Sequence, residues 1–383
     1  MQTSNNDRIN SIQALRALAF LGIFFNHSGF IINWSELGVS IFFVLSGFLL
    51  YIRYVGTELP HSTRDCFRFA VDKIKKIYPL HLITLIIMFV FYMCGPMGMK
   101  RRLVNCIVAA LNVFLVQSFI PNMGIATALN GVAWYLSTAA FLYFCFPKIL
   151  YLVDNKGKNK HESEAPKAIH TCTLAIVCLL ALLIQFGICI ALIKCNLFNS
   201  AVYFSLSYSF PPIRLVDLLF GIFVGRLYEL YKNKDTNVAL ASIFEIIVIL
   251  LAIGTKIWGD MEPSSIKPIY LASKNWTTIY VSVAALAVYV FAINKGIISK
   301  AVTNRVLVWI GDLSGYAFLI HFVIIILVEK ITNTSRSIEE VGVAYKLLVI
   351  LIELLLSIGL SYLYRLYDSK INSLFERIYK KQK

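Results

Sequence analysis

Residues 16–48 read RALAFLGIFFNHSGFIINWSELGVSIFFVLSGF. An arginine opens the stretch, and a histidine follows eleven positions later inside a run otherwise as apolar as Phe20-Leu21-Gly22-Ile23-Phe24-Phe25. At about 100° per residue this spacing makes about three turns with about 20° left over, and about 16 Å of rise. Arg16 and His27 therefore share one helical face. Ionisable residues in a membrane-grade helix face the bundle interior or a watery cavity and mark function. The bland alternative has Arg16 snorkelling to the interface and His27 hydrogen-bonded in the core. After Asn33-Trp34-Ser35-Glu36, a second apolar segment carries Gly38, Ser40, Ser46 and Gly47, small residues that let helix backbones approach closely.

The whole chain of 383 residues is composed in the same way, 58% hydrophobic and only 15% charged, with a mean hydropathy of +0.72. The fold class expected is an all-α, polytopic transmembrane helix bundle forming a single domain over 1–383. Apolar runs of membrane-crossing length fall near 10–32, 37–56, 77–95, 131–153, 171–193, 212–231, 238–257, 275–294, 307–328 and 344–366, about ten spans. The stretch 103–120 is apolar too, but it is interrupted by Asn105, Asn112 and Gln117 and led by Lys100-Arg101-Arg102; it is expected as an interfacial helix rather than an eleventh crossing. With that choice the basic residues gather on one side: Arg8, the block from Arg53 to Lys76, the lysines of Asp154–Lys167, then Lys232, Lys234, Lys295, Lys300, Arg305 and the basic tail. By the positive-inside rule both termini are cytoplasmic, with cytoplasmic loops near 57–76 and 154–168.

Several function classes lose their support at this point. The formal charge of +15 follows the loops and forms no stripe, so it reads as topology and not as a nucleic-acid surface. The N-terminal segment has no A-x-A-like processing site and reads as an uncleaved first span. Eight cysteines include no C-x-x-C pair and fall mostly in apolar runs, where they are expected as small buried hydrophobes. His61, His81, His161 and His170 lack companion ligands, so no metal site is expected. There is no G-x-S-x-G elbow, P-loop or G-x-G-x-x-G, and no repeat of the inverted-repeat transporter kind.

Four elements carry the candidate chemistry. Residues 14–27, ALRALAFLGIFFNH, followed by 38–49, GVSIFFVLSGFL, resemble the opening of the acyltransferase-3 family of integral-membrane acyltransferases. Lys73 and Lys76, three apart beside Ile77-Tyr78-Pro79-Leu80, are expected as neighbours on a helical face, a paired cation that suits phosphate groups or, equally, an anchor to anionic lipid. The family carries R-x-x-R before I-Y-P-L here; the lysines keep the charge but lose bidentate geometry. Trp134-Tyr135-Leu136 with Phe146-Pro147 is similar to the family's W-x-L-x-x-E…F-P element, with Ala139 at the acidic position. Trp134 reads equally as an interfacial anchor. Gly311 to His321 resembles G-x-I-S-Y-x-x-Y-L-x-H, with Gly315 and Phe318 replacing the two tyrosines.

Other polar residues have weaker readings. Gln13 stands where many relatives have an acid three positions before the arginine. Arg214 and Asp217, in a stretch similar to the family's R-x-x-x-F-x-x-G, are expected to satisfy each other. Glu353, in the middle of a span, is expected to pair with a cation inside the bundle.

The resemblance implies a membrane O-acyltransferase of the bacterial plasma membrane. It would move acetyl from cytoplasmic acetyl-CoA, a donor substrate and not a bound cofactor, to a hydroxyl of a surface polysaccharide or its lipid-linked precursor. On that reading Arg16, Lys73 and Lys76 hold the donor, with Ser46, Tyr78, Trp134 and His321 as further substrate-binding candidates. His27 serves either as general base or as acyl carrier. Acceptors such as an antibiotic or a small lipid stay open, and so does a different class, a transporter or flippase for a glycan or lipid intermediate.

Overall fold

The computed structural model describes residues 8–30, 34–154, 164–197, 200–260, 278–332 and 342–381. All of its regular structure there is helical. The first four helices are α1 (Asn10–His27), α2 (Ser35–Tyr54), α3 (Thr63–Ile74) and α4 (Tyr78–Met93); α5 (Met99–Val113) and the short α6 (Met123–Ala126) follow. Then come α7 (Trp134–Asp154), α8 (Glu164–Lys194), the short α9 (Ala201–Phe204), α10 (Leu215–Tyr231) and α11 (Val238–Asp260). The chain closes with α12 (Thr278–Ile293), the short α13 (Ile297–Val302), α14 (Arg305–Thr332) and α15 (Val343–Lys381).

Each apolar run forms a helix, but the expected count of about ten spans is met only in part. Six helices among the described residues are long and apolar enough to cross a membrane: Ser35–Tyr54, Trp134–Asp154, His170–Lys194, Val238–Trp258, Arg305–Thr332 and Val343–Ile371. A seventh crossing arises if the pair α3 and α4, bent by 67°, is one broken span. The other runs fold as helices too; α12 is described only from Thr278, while α1, α4 and α10 have 16 to 18 residues. At 1.5 Å per residue these reach about 24–27 Å, slightly less than a hydrocarbon core of about 30 Å. Helix α5 has 15 residues and stops at Val113, where Leu115 turns the backbone left-handed (φ 56°).

The bundle has an apolar core, and its periphery is apolar as well. Helices α8, α11 and α15 present Leu183, Ile184, Phe244, Leu250, Leu351 and Leu355 outward, while serines, Arg214, Asp217 and Glu353 are buried. Peripheral helices thus offer lipid an apolar face, and polar groups collect inside. The hub is the opening hairpin: α2 packs on α10, α1 and α12, and α1 packs on α14. Glycine makes the tightest of these approaches possible. A Cβ at Gly47 would strike the Leu218 carbonyl, and one at Gly221 would strike the Val44 carbonyl, so the two backbones cross in direct contact.

One of the two expected loops differs. Within 57–76 the chain forms the amphipathic α3, N-capped by the Ser62 hydroxyl, which accepts from the Asp65 N–H, and burying Cys66, Ala70 and Ile74. The lysine-rich loop, including His161, lies largely outside the described residues, as does the start of the run 275–294. The cysteine expectation also needs correction: all eight are free, and Cys66, Cys178 and Cys189 are buried, but Cys94, Cys106, Cys172 and Cys195 are exposed.

Candidate functional site

A cavity of about 340 Å³ opens where α1, α2, α3, α7 and α14 meet. Each helix contributes through its own periodicity. Helix α2 supplies Phe42, Leu45, Ser46, Leu49, Leu50 and Arg53, an i, i+3, i+4, i+7 stripe; α7 supplies Tyr135, Leu136, Ala139 and Tyr143 on the same principle. Arg16, Arg53 and Lys73 bring three cations to it from three different helices, while the remaining wall is largely leucine, isoleucine and aromatic rings. Such a cavity suits an anionic ligand with an apolar extension.

The cations are held by identifiable groups. Arg16 Nη1 donates to Gln13 Oε1 at 3.3 Å, so the residue that replaces the family's acid still accepts from the guanidinium. Lys73 Nζ donates to the Tyr54 hydroxyl at 2.7 Å and lies 4.6 Å and 4.9 Å from the ring centres of Tyr54 and Phe69. Cation–π contacts of this kind fix the direction of a flexible lysine. Ser46 faces the cavity with its hydroxyl donating back to the Phe42 carbonyl at 2.9 Å.

Four expected site residues are placed otherwise. Lys76 does not share a helical face with Lys73, because α3 ends at Ile74 and the chain turns; Lys76 points outward, 3.9 Å from Asp368. Tyr78 ties α4 to α5, its hydroxyl donating to the Val113 carbonyl at 2.8 Å. Trp134 is neither an interfacial anchor nor part of the lining: it is buried against Phe43 and Tyr208, and its neighbour Tyr135 takes the place at the cavity. His321 does not touch the cavity but joins His27, with His27 Nδ1 and His321 Nε2 2.9 Å apart. Arg16 and His27 do face the same partner, since Gly315 of α14 lies beside Arg16 and Phe322 beside His27.

Between the cavity and the histidines stands a layer of rings. Phe318 lines the cavity and contacts Phe42, Tyr135 and His321 at centroid distances of 6.0, 5.0 and 5.9 Å. Nearby, Arg214 and Asp217 form a fully buried ion pair at 3.5 Å but do not satisfy each other as expected, since their side-chain nitrogens and oxygens make no hydrogen bond; the guanidinium lies 4.6 Å from the Phe43 ring centre. His81, expected at a span start, is buried and hydrogen-bonds the Asn112 carbonyl. Glu353 is fully buried, and the Ser357 hydroxyl donates to its carbonyl.

Arg53, Tyr135 and Tyr143 were not singled out from the sequence. The signal existed: Ser46 and Arg53, like Tyr135, Ala139 and Tyr143, recur at helical spacing on one face. Ala139, Gly315 and Phe318, three positions where the sequence departs from the family pattern, all line this one cavity.

The chain is 24% identical over 341 residues to the acyltransferase MdmB of Streptomyces mycarofaciens, covering 83% of this chain and 79% of that protein. It is 24% identical over 334 residues to the O-acetyltransferase OatA of Staphylococcus aureus, covering 83% of this chain and 51% of that protein. The chain thus spans about half the length of OatA. No solved structure matches. The family model for the acyltransferase domain matches residues 9–366, from the first turn before α1 into α15, so the chain belongs to the acyltransferase-3 family of membrane acyltransferases.

Proposed function

We propose that this acyltransferase moves an acetyl group from cytoplasmic acetyl-CoA to a hydroxyl of a surface polysaccharide or its lipid-linked precursor. The observation that carries the reading is the convergence of Arg16, Arg53 and Lys73 on a cavity whose far wall, Phe318, abuts the His27–His321 pair. Coenzyme A is a polyanion joined to a neutral arm that ends in the thioester, and the cavity is cationic on one part of its wall and apolar over the rest. When the Phe318 ring turns aside, the thioester comes within reach of His27. The imidazole takes the proton of the acceptor hydroxyl, the oxygen bonds to the acyl carbon, and the C–S bond breaks. The departing sulfur then receives the proton from His27.

Transfer of acetyl to an oxygen is in line with the activity for which one relative is named, an O-acetyltransferase. The test is release of free CoA thiol from acetyl-CoA, measured with purified protein and a glycan acceptor bearing free hydroxyls. Acceptor-dependent release is the expected result; glycan or lipid movement across the membrane without release would make the protein a flippase or transporter instead.

Lysine placement yields a sharper test. Lys73→Gln should raise the KM for acetyl-CoA roughly tenfold with a smaller change in kcat, as expected when a charged hydrogen bond common to ground and transition states is lost. Lys76→Gln should leave both constants near the parental values, because Lys76 faces away from the cavity. Equal effects of the two substitutions would place donor binding outside this cavity.

The topology proposed with this function has about ten crossings, the cavity mouth at the cytoplasmic face and both termini in the cytoplasm. Reporters fused after Lys383 and within 154–167 should read as cytoplasmic, and one near residues 121–129 as external. Cytoplasmic-side reporters on opposite faces would overturn it.

A further inference from the structure

We infer that His321 is a positioning residue that holds the proton of neutral His27 on Nδ1 and so keeps the lone pair on Nε2; the inference rests on the proposed role of His27. The argument starts from the carbonyl of Ala317, one turn before His321 on α14. It lies 3.1 Å from His321 Nδ1 and can only accept, so Nδ1 carries a hydrogen. His321 is fully buried, and its neighbours include the rings of Phe20, Phe24 and Phe318. A net charge enclosed by those rings costs far more than the neutral imidazole. Neutral His321 with hydrogen on Nδ1 has its lone pair on Nε2.

That nitrogen faces His27 Nδ1 at 2.9 Å, a distance that requires one hydrogen between the two. The ring planes are inclined by only 18°, yet the ring centres are 5.1 Å apart. Two imidazoles with nitrogens this close and centres this far apart lie side by side, not face to face, so the N–H and the lone pair meet in plane. The hydrogen therefore belongs to His27 Nδ1, and the His27 lone pair is on Nε2. The chain of orientation runs Ala317 carbonyl, His321, His27, with each partner setting the tautomer of the next, as second partners of reactive histidines do elsewhere. The Phe322 ring, 5.5 Å from His27 and nearly perpendicular to it, limits rotation of the imidazole.

The test separates positioning from packing. His321→Phe keeps a ring but cannot accept; His321→Gln can offer an oxygen near the position of Nε2. The Phe variant should lose between about 10- and 10⁴-fold in kcat while the KM for acetyl-CoA stays within about twofold, and the Gln variant should recover most of the loss. Adding His321→Phe to His27→Ala should cost nothing further, since both act on one group. In the folded parent, ¹⁵N spectra of labelled histidine should show His27 with Nδ1 protonated and Nε2 unprotonated, the His27 signals being assigned by their absence in His27→Ala. This measurement stands even if the Phe variant fails to accumulate. The opposite tautomer, or a Phe variant with parental kcat beside an inactive His27→Ala, overturns the inference and leaves the proposed function intact. An active His27→Ala would instead remove the proposed function on which the inference rests.

Discussion

His27→Ala should reduce acyl transfer by about 10²- to 10⁴-fold, the range for loss of a positioned acid or base. The measurement is acceptor-dependent CoA release by protein that inserts and purifies like the parent. Raising acetyl-CoA should not restore the rate, because His27 lies beyond Phe318 and outside the cavity lining. Arg16→Ala offers the contrast: it removes a cavity cation, so saturating donor should recover part of its loss. A loss at His27 well beyond 10⁴-fold would point to covalent carriage of the acyl group by the imidazole in place of proton transfer. Near-parental activity in well-folded His27→Ala protein would make His27 a packing residue and sink the mechanism.

Gly221→Leu should abolish accumulation of folded protein altogether. Ordinary overpacking costs about 1–3 kcal/mol because neighbouring side chains can give way. Here the first atoms met are the Val44 carbonyl and the backbone of Gly47 and Phe48, and backbone cannot change rotamer. Helices α2 and α10 would have to separate along their length. Separation would displace the α2 stripe that carries Ser46 and Arg53, so the cavity would be lost with the packing. The readout is the yield of monodisperse protein after solubilisation, with Gly221→Ala as a milder companion. Parental yield and activity in the leucine variant would show that the two helices do not cross in contact at this point.

Much of the bundle was legible because the determinants are local. Runs of apolar residues report their own transfer energy, so every run expected as a span appears as a helix, and the α1 spacing correctly placed Arg16 and His27 toward one partner helix. What local pattern could not decide was length at the ends: α4 and α10 stop at 16 and 17 residues, and the bend before α4 depends on how Lys75 to Ile77 turn against the rest of the bundle.

The site divides in the same way. Sequence by itself determined which residues are too polar for their surroundings: Arg16, His27, Ser46 and His321 each stand in an apolar helix, and each lines the cavity or belongs to the histidine pair. Tertiary structure alone decided the pairing. His27 and His321 are 294 positions apart, and no periodicity within either helix encodes the 2.9 Å between their rings. Lys73 and Lys76 look equivalent in sequence, yet a helix end at Ile74 and the rings of Tyr54 and Phe69 turn one inward while Asp368 draws the other out. Helical periodicity fixes a side chain's bearing around its own axis; which group it meets depends on how the axes pack, and that is set by glycine contacts and ring layers contributed from distant parts of the chain.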